Sequence, residues 1–460
     1  MQDNGSTNQT SAAAAVAPGR LLTVLGAAFG VAVLVGNTIG LGILRTPGEV
    51  AAQVPSVTGF MLVWIAGAVY ALLGALTISE LAAMRPRSGG LYPFVHHALG
   101  PYPGFVSGWT DWIATCGSAA AGAIVIAEYL GPLIPALANH QWVVAMSVIV
   151  AFTLLQSGGV RVGDAAQQFT SLLKGLALIA LAIVALVMSR GIELPAKATV
   201  AAITQYPSAA AIAVAGIVVA LQSAIFTYDG WTGPVYFGEE VRDPGRNLPR
   251  SMIGGLLIVL AIYLLLNAAF LSVVPITEMA GDKFVAATVA TRLFGPSGDT
   301  GLRVLMIVSL LAAVNACMMM ASRVPYAMSR DQLLPASFCT VSKGGTPLPA
   351  LLVSSLFMLV FIASNSFNTV LALLSFCFVA NYALTFFSLF VLRWREPDTA
   401  RPFRVPGYPW IPGLALLGSL TFLAAAIYSD TRNSLTALAL VAISWPFYAW
   451  SRRRRSDITD

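Results

Sequence analysis

The chain has 460 residues, 57% of them hydrophobic and only 10% charged, with a net charge of +6. A soluble domain is about 25% charged, so a soluble fold would have almost nothing to present to water. The basic residues lie in loops between apolar runs and form no basic face interleaved with aromatics, which excludes a nucleic-acid partner.

Residues 1–19 are polar, then alanine-rich, with no positive charge ahead of the first apolar run. That pattern does not fit a cleaved signal peptide and reads as a disordered cytoplasmic tail. Twelve apolar runs follow, near 21–53, 57–83, 103–131, 141–157, 164–190, 209–238, 249–274, 302–328, 348–365, 367–393, 411–429 and 434–450. Each is near the length needed to cross about 30 Å of hydrocarbon. The prediction is an all-α integral membrane protein with about twelve transmembrane helices.

An even number of spans places both termini on one side. With the termini in the cytoplasm, 18 of the 26 lysines and arginines fall inside and 6 outside. This is the bias expected for cytoplasmic termini in a plasma membrane, the bacterial inner membrane in this reading. The run Arg452–Arg455, in a basic cytoplasmic tail over 451–460, is read as a topology anchor against anionic membrane lipid.

The first span carries "VGNTIGLGILRTPGE", Val35 to Glu49, with Gly36, Gly40, Gly42, Pro47 and Gly48 inside it. Glycine costs about 1 kcal/mol in a helix interior and proline about 3. The sixth span carries "LQSAIFTYDGWTGPVYFGEE", with Asp229, Gly230, Gly233 and Pro234. Two interrupted helices five spans apart suggest two five-helix repeats, 20–190 and 209–393, with helices 11 and 12 over 411–450 outside them. An odd number of helices per repeat inverts the second copy. Paired breaks of this kind point to the binding site of a secondary transporter. The alternative is two glycine-rich faces that let helices pack closely.

Backbone polar groups cannot be left bare in hydrocarbon, so a break must be buried in protein or line a water-filled cavity. The half-helix ending near Ile39 offers carbonyl groups to an ammonium. The half-helix beginning after Gly42 offers N–H groups and the positive dipole end to a carboxylate. A zwitterionic amino acid carries both partners.

The residues of these breaks resemble a known family. "GNTIGLGIL" is similar to the first-span signature of the amino acid–polyamine–organocation superfamily. "FTYDGW…FGEEVRDPGRNLPRS", "SELAAMRPRSGGLY", "SRDQLLP" and "RPFRVPGYPWIP" resemble its L-type amino acid transporter branch, in the expected order over residues 35–412. The resemblance implies the LeuT-type 5+5 inverted-repeat fold with helices 1 and 6 broken, and a prokaryotic amino acid permease. It implies that the amides of Leu41 and Gly42 hold the substrate carboxylate, beside Gly40. It gives the carbonyls of Thr38, Ile39 and Phe226 to the amino group, and makes Phe226 a gate. The family's middle serine is Leu41 here, which removes a hydroxyl contact.

Lys174, about ten residues into the fifth span, would lie roughly 15 Å deep, where charges are costly and usually functional. A lysine snorkelling to the interface is the alternative. In sodium-independent relatives a lysine at this place replaces the sodium ion, and one that exchanges its proton would add protons as a coupling partner. Asp229 either caps the broken half-helix or attracts a cationic side chain or polyamine. Tyr228 and Trp231 read as packing residues. Arg45 is expected to pair with Glu49 one turn on. Glu239 and Glu240 with Arg242, Arg246 and Arg250 read as a solvated charge cluster.

No HExxH, P-loop or haem-type motif is present, so neither an enzyme nor a cofactor is expected. The three histidines fall at loop or interfacial positions, and no metal site is expected. The four cysteines show no paired spacing and read as free thiols. The loop "GPLIPALANHQ" has no cysteine for a disulfide-linked heavy chain. The function expected is sodium-independent secondary transport of amino acids by alternating access, as an exchanger or proton-coupled, with neutral amino acids preferred. Cationic substrates using Asp229 are the alternative, and a channel is a remote one.

Overall fold

The computed structural model describes residues 21–40, 42–189, 209–364, 367–429 and 431–459. The expected tail at 1–19 and Leu41 lie outside them. The described residues are helical, with no strand and two isolated β-bridges, Leu25 to Val241 and Ser88 to Phe237.

The helices follow the apolar runs. The first is split into α1 (Ala27–Thr38) and α2 (Gly42–Gln53), bent by 48° at the break. Then come α3 (Val57–Met84), the short α4 (Tyr92–Leu99), α5 (Pro101–Leu133), α6 (Gln141–Ser157) and α7 (Val160–Met188). The second series is α8 (Ala209–Tyr228), α9 (Pro244–Val273), the short α10 (Ile276–Met279) and α11 (Val285–Phe294), α12 (Pro296–Arg330), α13 (Leu348–Ala363) and α14 (Phe367–Arg395). Two further helices close the chain, α15 (Trp410–Ser429) and α16 (Thr431–Thr459). Among the described residues, seven helices are long and apolar enough to cross a membrane, and the bent α1–α2 pair makes an eighth.

Local chemistry sets the ends. The Ser56 hydroxyl accepts the Gly59 N–H at 3.2 Å and starts α3. Pro101, Pro244 and Pro296 open α5, α9 and α12, where a missing N–H does no harm. The 28 residues of α3 give it a length of about 42 Å, ample for a tilted span.

The sixth apolar run is not one continuous helix. Helix stops at Tyr228, and the rest of the predicted run to 238 holds a single 3₁₀ turn, Gly233–Tyr236. Gly230 takes φ +104°, a conformation that ends a right-handed helix. Pro234 has no N–H with which to rebuild it.

The centre of the bundle is α5 against α12, with α1 packed beside α12, while α8 packs on α2 and α3. Asn315 on α12 donates to Gln167 Oε1 on α7 at 2.8 Å, and Gln156 on α6 donates to Asn315. Polar bonds of this kind join helices whose apolar surfaces have no preference for each other over lipid. The outer face of α7 exposes Leu172, Leu176, Ile183 and Val187, as a lipid-facing stripe should.

Candidate functional site

The two breaks meet. A Cβ added to Gly230 would lie 3.0 Å from the Asn37 carbonyl carbon and 3.0 Å from the Thr38 nitrogen. Only glycine allows the chain after α8 to come this close to the end of α1. The Asn37 side-chain amide donates to the Gly230 carbonyl at 3.3 Å, and Cys317 of α12 donates to Asn37 Oδ1 at 3.2 Å.

The last carbonyls of α1 lack intrahelical partners and need outside donors. Lys174 of α7 supplies them. Its ammonium, fully buried, donates to the Gly36 carbonyl at 2.9 Å and to the Ile39 carbonyl. Ser309 of α12 donates to the same Ile39 oxygen at 3.3 Å. Lys174 therefore does not snorkel; it caps the broken half-helix from the neighbouring span.

The Tyr263 hydroxyl of α9 lies 2.9 Å from the Thr38 carbonyl and 3.0 Å from the Thr227 carbonyl. It joins the ends of α1 and α8. Tyr263 itself packs on Tyr228 and Trp64, with Tyr228 fully buried, so Tyr228 is the packing residue expected. The Thr38 hydroxyl is buried at the break and has no hydrogen-bond partner among the described residues.

Gly40 and Gly42 differ. No atom comes within 4 Å of a Cβ placed on Gly40. A Cβ on Gly42 would lie 2.8 Å from Thr227 Cγ2 and 3.1 Å from Thr227 Cα. Gly42 is where α2 presses on α8, and the Thr46 and Thr227 hydroxyls are hydrogen-bonded at 2.9 Å nearby. Leu41 lies outside the described residues.

Phe226 lies near the end of α8 and Asp229 just beyond it. They line a cavity of about 10 Å³ with Tyr70, Trp231, Tyr382 and Phe422. That is room for about one water. Thr38, Ile39, Gly40 and Gly42 do not line it. The Asp229 carboxylate accepts the Tyr382 hydroxyl of α14. The Trp231 ring lies 5.0 Å from Tyr382, centroid to centroid. The Phe226 carbonyl accepts the Asp229 N–H at 3.1 Å.

Two expected charge arrangements are corrected. Arg45 bonds to the Lys283 carbonyl at 3.3 Å, while Glu49 is exposed, and no ion pair joins them among the described residues. The segment carrying Lys283 packs over α2 and offers a fixed carbonyl, a firmer partner than a solvated carboxylate. Glu239 and Glu240 are no solvated cluster with Arg242, Arg246 and Arg250. Glu240 is fully buried and paired with Arg323 of α12 at 2.9 Å, and Glu239 pairs with Arg330 at 2.6 Å. The bridge between Leu25 and Val241 draws this segment inward against α1, where only a buried guanidinium can balance the charge.

Tyr263, Ser309, Asn37 and Asp111 escaped the sequence reading. Asp111 is buried in α5 and accepts the Tyr236 hydroxyl at 2.6 Å. An acid inside the apolar run "GWTDWIATCG" meets the same test that singled out Lys174. A tyrosine in a lipid-compatible run carries no such signal.

Among the described residues no group of histidine, cysteine or carboxylate side chains could hold a metal ion. All four cysteines are free.

The family model described as "Amino acid permease" matches residues 21–446. The chain is 30% identical over 410 residues to the b(0,+)-type amino acid transporter 1 of Mus musculus, covering 87% of this chain and 82% of that one. It is 29% identical over 444 residues to the serine/threonine exchanger SteT of Bacillus subtilis, covering 94% and 98%. The cystine/glutamate transporter of Homo sapiens is 26% identical over 438 residues, covering 93% and 85%. These relatives are transporters and not enzymes. Two helix breaks in contact, their freed carbonyls held by buried side chains, and a family match across nearly the whole length lead to one conclusion: the chain belongs to the amino acid permease family of the amino acid–polyamine–organocation superfamily, and is a multi-pass membrane transporter of amino acids.

Proposed function

We propose that the protein is a sodium-independent secondary transporter of neutral amino acids, working by alternating access from a site at the α1–α2 break. The observation that carries this reading is the Lys174 ammonium on the Gly36 and Ile39 carbonyls. An ammonium there fills the place of a bound sodium ion, which supports sodium independence. The substrate carboxylate is assigned to the amides of Leu41 and Gly42, and the open space at Gly40 supports that side as the one substrate enters. The amino group is assigned to the carbonyls of Thr38, Ile39 and Phe226. The first two already accept side-chain donors, so the substrate shares them or displaces Tyr263. The Thr38 hydroxyl is a further ligand in this reading.

The reading extends to architecture. Four shorter apolar helices, Gln141–Ser157, Gly216–Tyr228, Leu348–Ala363 and Ser434–Ala449, fill the places left in a twelve-span scheme. The breaks after Thr38 and Tyr228 open the first and second five-helix series, which supports an inverted repeat. Phe226 gates the site, and both termini face the cytoplasm of a plasma membrane. Similarity to SteT, a serine/threonine exchanger, favours exchange over proton coupling.

The test is uptake of alanine, serine and leucine into proteoliposomes. Replacing sodium with choline at fixed pH should leave the rate unchanged, and Lys174→Ala should reduce it by at least about tenfold, the loss expected when a charge-assisted bond at a buried carbonyl is removed. Strict sodium dependence of the wild type would overturn the reading. Uptake into vesicles loaded with unlabelled amino acid, against empty ones with and without a proton gradient, separates exchange from proton coupling.

A further inference from the structure

A second cavity, of about 810 Å³, opens on the outside of the bundle at the start of α9. Arg246 and Arg250, one turn apart and both exposed, are among its lining residues. Gly254 and Leu257 continue the lining along α9, and Pro402 and Phe403 complete it. Leu257 is 48% exposed and Ile258 beside it 45%, so the groove runs onto a face that only hydrocarbon suits. A Cβ on Gly254 would meet nothing within 4 Å, which marks it as the floor of the groove.

The charges at this end of the bundle are unevenly satisfied. Arg85 pairs with Glu396, Arg393 and Arg401 pair with Glu80, Arg323 with Glu240 and Arg330 with Glu239. Arg246 and Arg250 have no carboxylate partner among the described residues. Asp243 also lines the groove, so the lining carries two positive charges and one negative. An unpaired pair of guanidiniums with an apolar groove running from them into the membrane is matched by one common molecule. Its phosphate would sit on the fork of the two arginines, and its acyl chain would lie over Gly254 and Leu257.

We propose that this groove is a binding site for an acidic phospholipid, with Arg246 and Arg250 holding the phosphate and the Gly254–Leu257 face holding an acyl chain. The lipid fills the space between α3, α9 and the segment around Pro402, and so ties the start of α9 to its neighbours. Basic pockets of this kind between spans take anionic head groups. The net positive lining favours an acidic lipid over a zwitterionic one of the same chains.

Native mass spectrometry of the whole protein in detergent tests the proposal. Phosphatidylglycerol and phosphatidylcholine of identical chains are added at equal concentration, with glycerol phosphate as a soluble control. The wild type should retain phosphatidylglycerol in preference by at least about fivefold, the effect of one arginine near an anionic surface. Arg246→Gln with Arg250→Gln should abolish that preference while alanine uptake shows the protein folded. Gly254→Phe, which fills the floor and keeps both arginines, should reduce retention of both lipids. Equal retention of the two lipids by the wild type overturns the proposal, as does a preference that survives the double substitution or retention untouched by Gly254→Phe. Glycerol phosphate competing as well as the lipid would assign the arginines to a soluble anion and also overturn it.

Discussion

The hydroxyl of Tyr263 lies 2.9 Å from the carbonyl oxygen of Thr38, and the same hydroxyl lies 3.0 Å from the carbonyl of Thr227. One side chain of α9 thus holds the ends of both interrupted helices. Its single proton is shared by two carbonyls, so either bond strengthens when the other lengthens. Tyr263→Phe keeps the ring on Tyr228 and Trp64 and removes only the bridge. The buried carbonyls then go unpaired, at about 1–3 kcal/mol. The expected result is a lower unfolding temperature in detergent and uptake reduced several-fold. Unchanged stability and transport would show that the bridge is incidental.

Gly42 and Gly40 should respond in opposite ways. A side chain on Gly42 meets Thr227, whereas one on Gly40 meets open space. Overpacking of this kind costs about 1–3 kcal/mol and shifts backbone. Gly42→Val should abolish uptake by driving α2 off α8, and Thr227→Ala should partly rescue Gly42→Ala. Gly40→Ala should keep most of the activity. Radiolabelled leucine uptake by the four variants reads both effects. A dead Gly40→Ala beside an active Gly42→Val would invert the assignment.

The Asp229 carboxylate is held by Tyr382, in a cavity of about 10 Å³ with no room for a substrate side chain. Asparagine keeps one oxygen that can still accept the Tyr382 hydroxyl. Asp229→Asn should therefore lower transport of alanine, leucine, arginine and a polyamine alike, and by little. The check is a competition series on wild type and variant. A loss confined to arginine and the polyamine would return Asp229 to cation recognition, where an unpaired buried charge is worth on the order of 2–5 kcal/mol.

Arg323 and Glu240 form a buried ion pair at 2.9 Å, with Arg323 also donating to the Met319 carbonyl at 3.0 Å and its guanidinium lying 5.0 Å from the Phe237 ring centroid. Removing one partner of such a pair costs about 3–5 kcal/mol, while replacing both with apolar groups often costs little. Arg323→Met should sharply lower thermal stability in detergent. Arg323→Met with Glu240→Leu should recover part of the loss. A double variant no better than the single would show that Arg323 acts through Met319 and Phe237 alone.

Much of the architecture was legible in the sequence because its causes are local. A bilayer demands long apolar runs, and the runs can be counted. Gly40, Gly42, Gly230 and Pro234 cluster within two apolar runs, and that clustering let both interruptions be placed without coordinates, whereas Pro47 and Pro325 stand inside continuous helices. Lys174 stood out because a charge deep in an apolar run needs a partner. The identity of that partner was decided only by the packing of α7 against α1, which brings the ammonium to Gly36 and Ile39. Tyr263 gave no signal at all, because a tyrosine in a span is as compatible with lipid as with a buried carbonyl until its neighbours are known. Glu240 misled for the same reason. Beside Arg242, Arg246 and Arg250 it looks like part of a solvated charge run, yet its partner lies on α12, 83 residues away. Asp229 and Gly230 adjoin in sequence and face different neighbours, one α14 and the other α1. Local chemistry sets where a membrane helix breaks; which groups the break exposes to one another depends on long-range packing, which hydropathy and spacing do not encode.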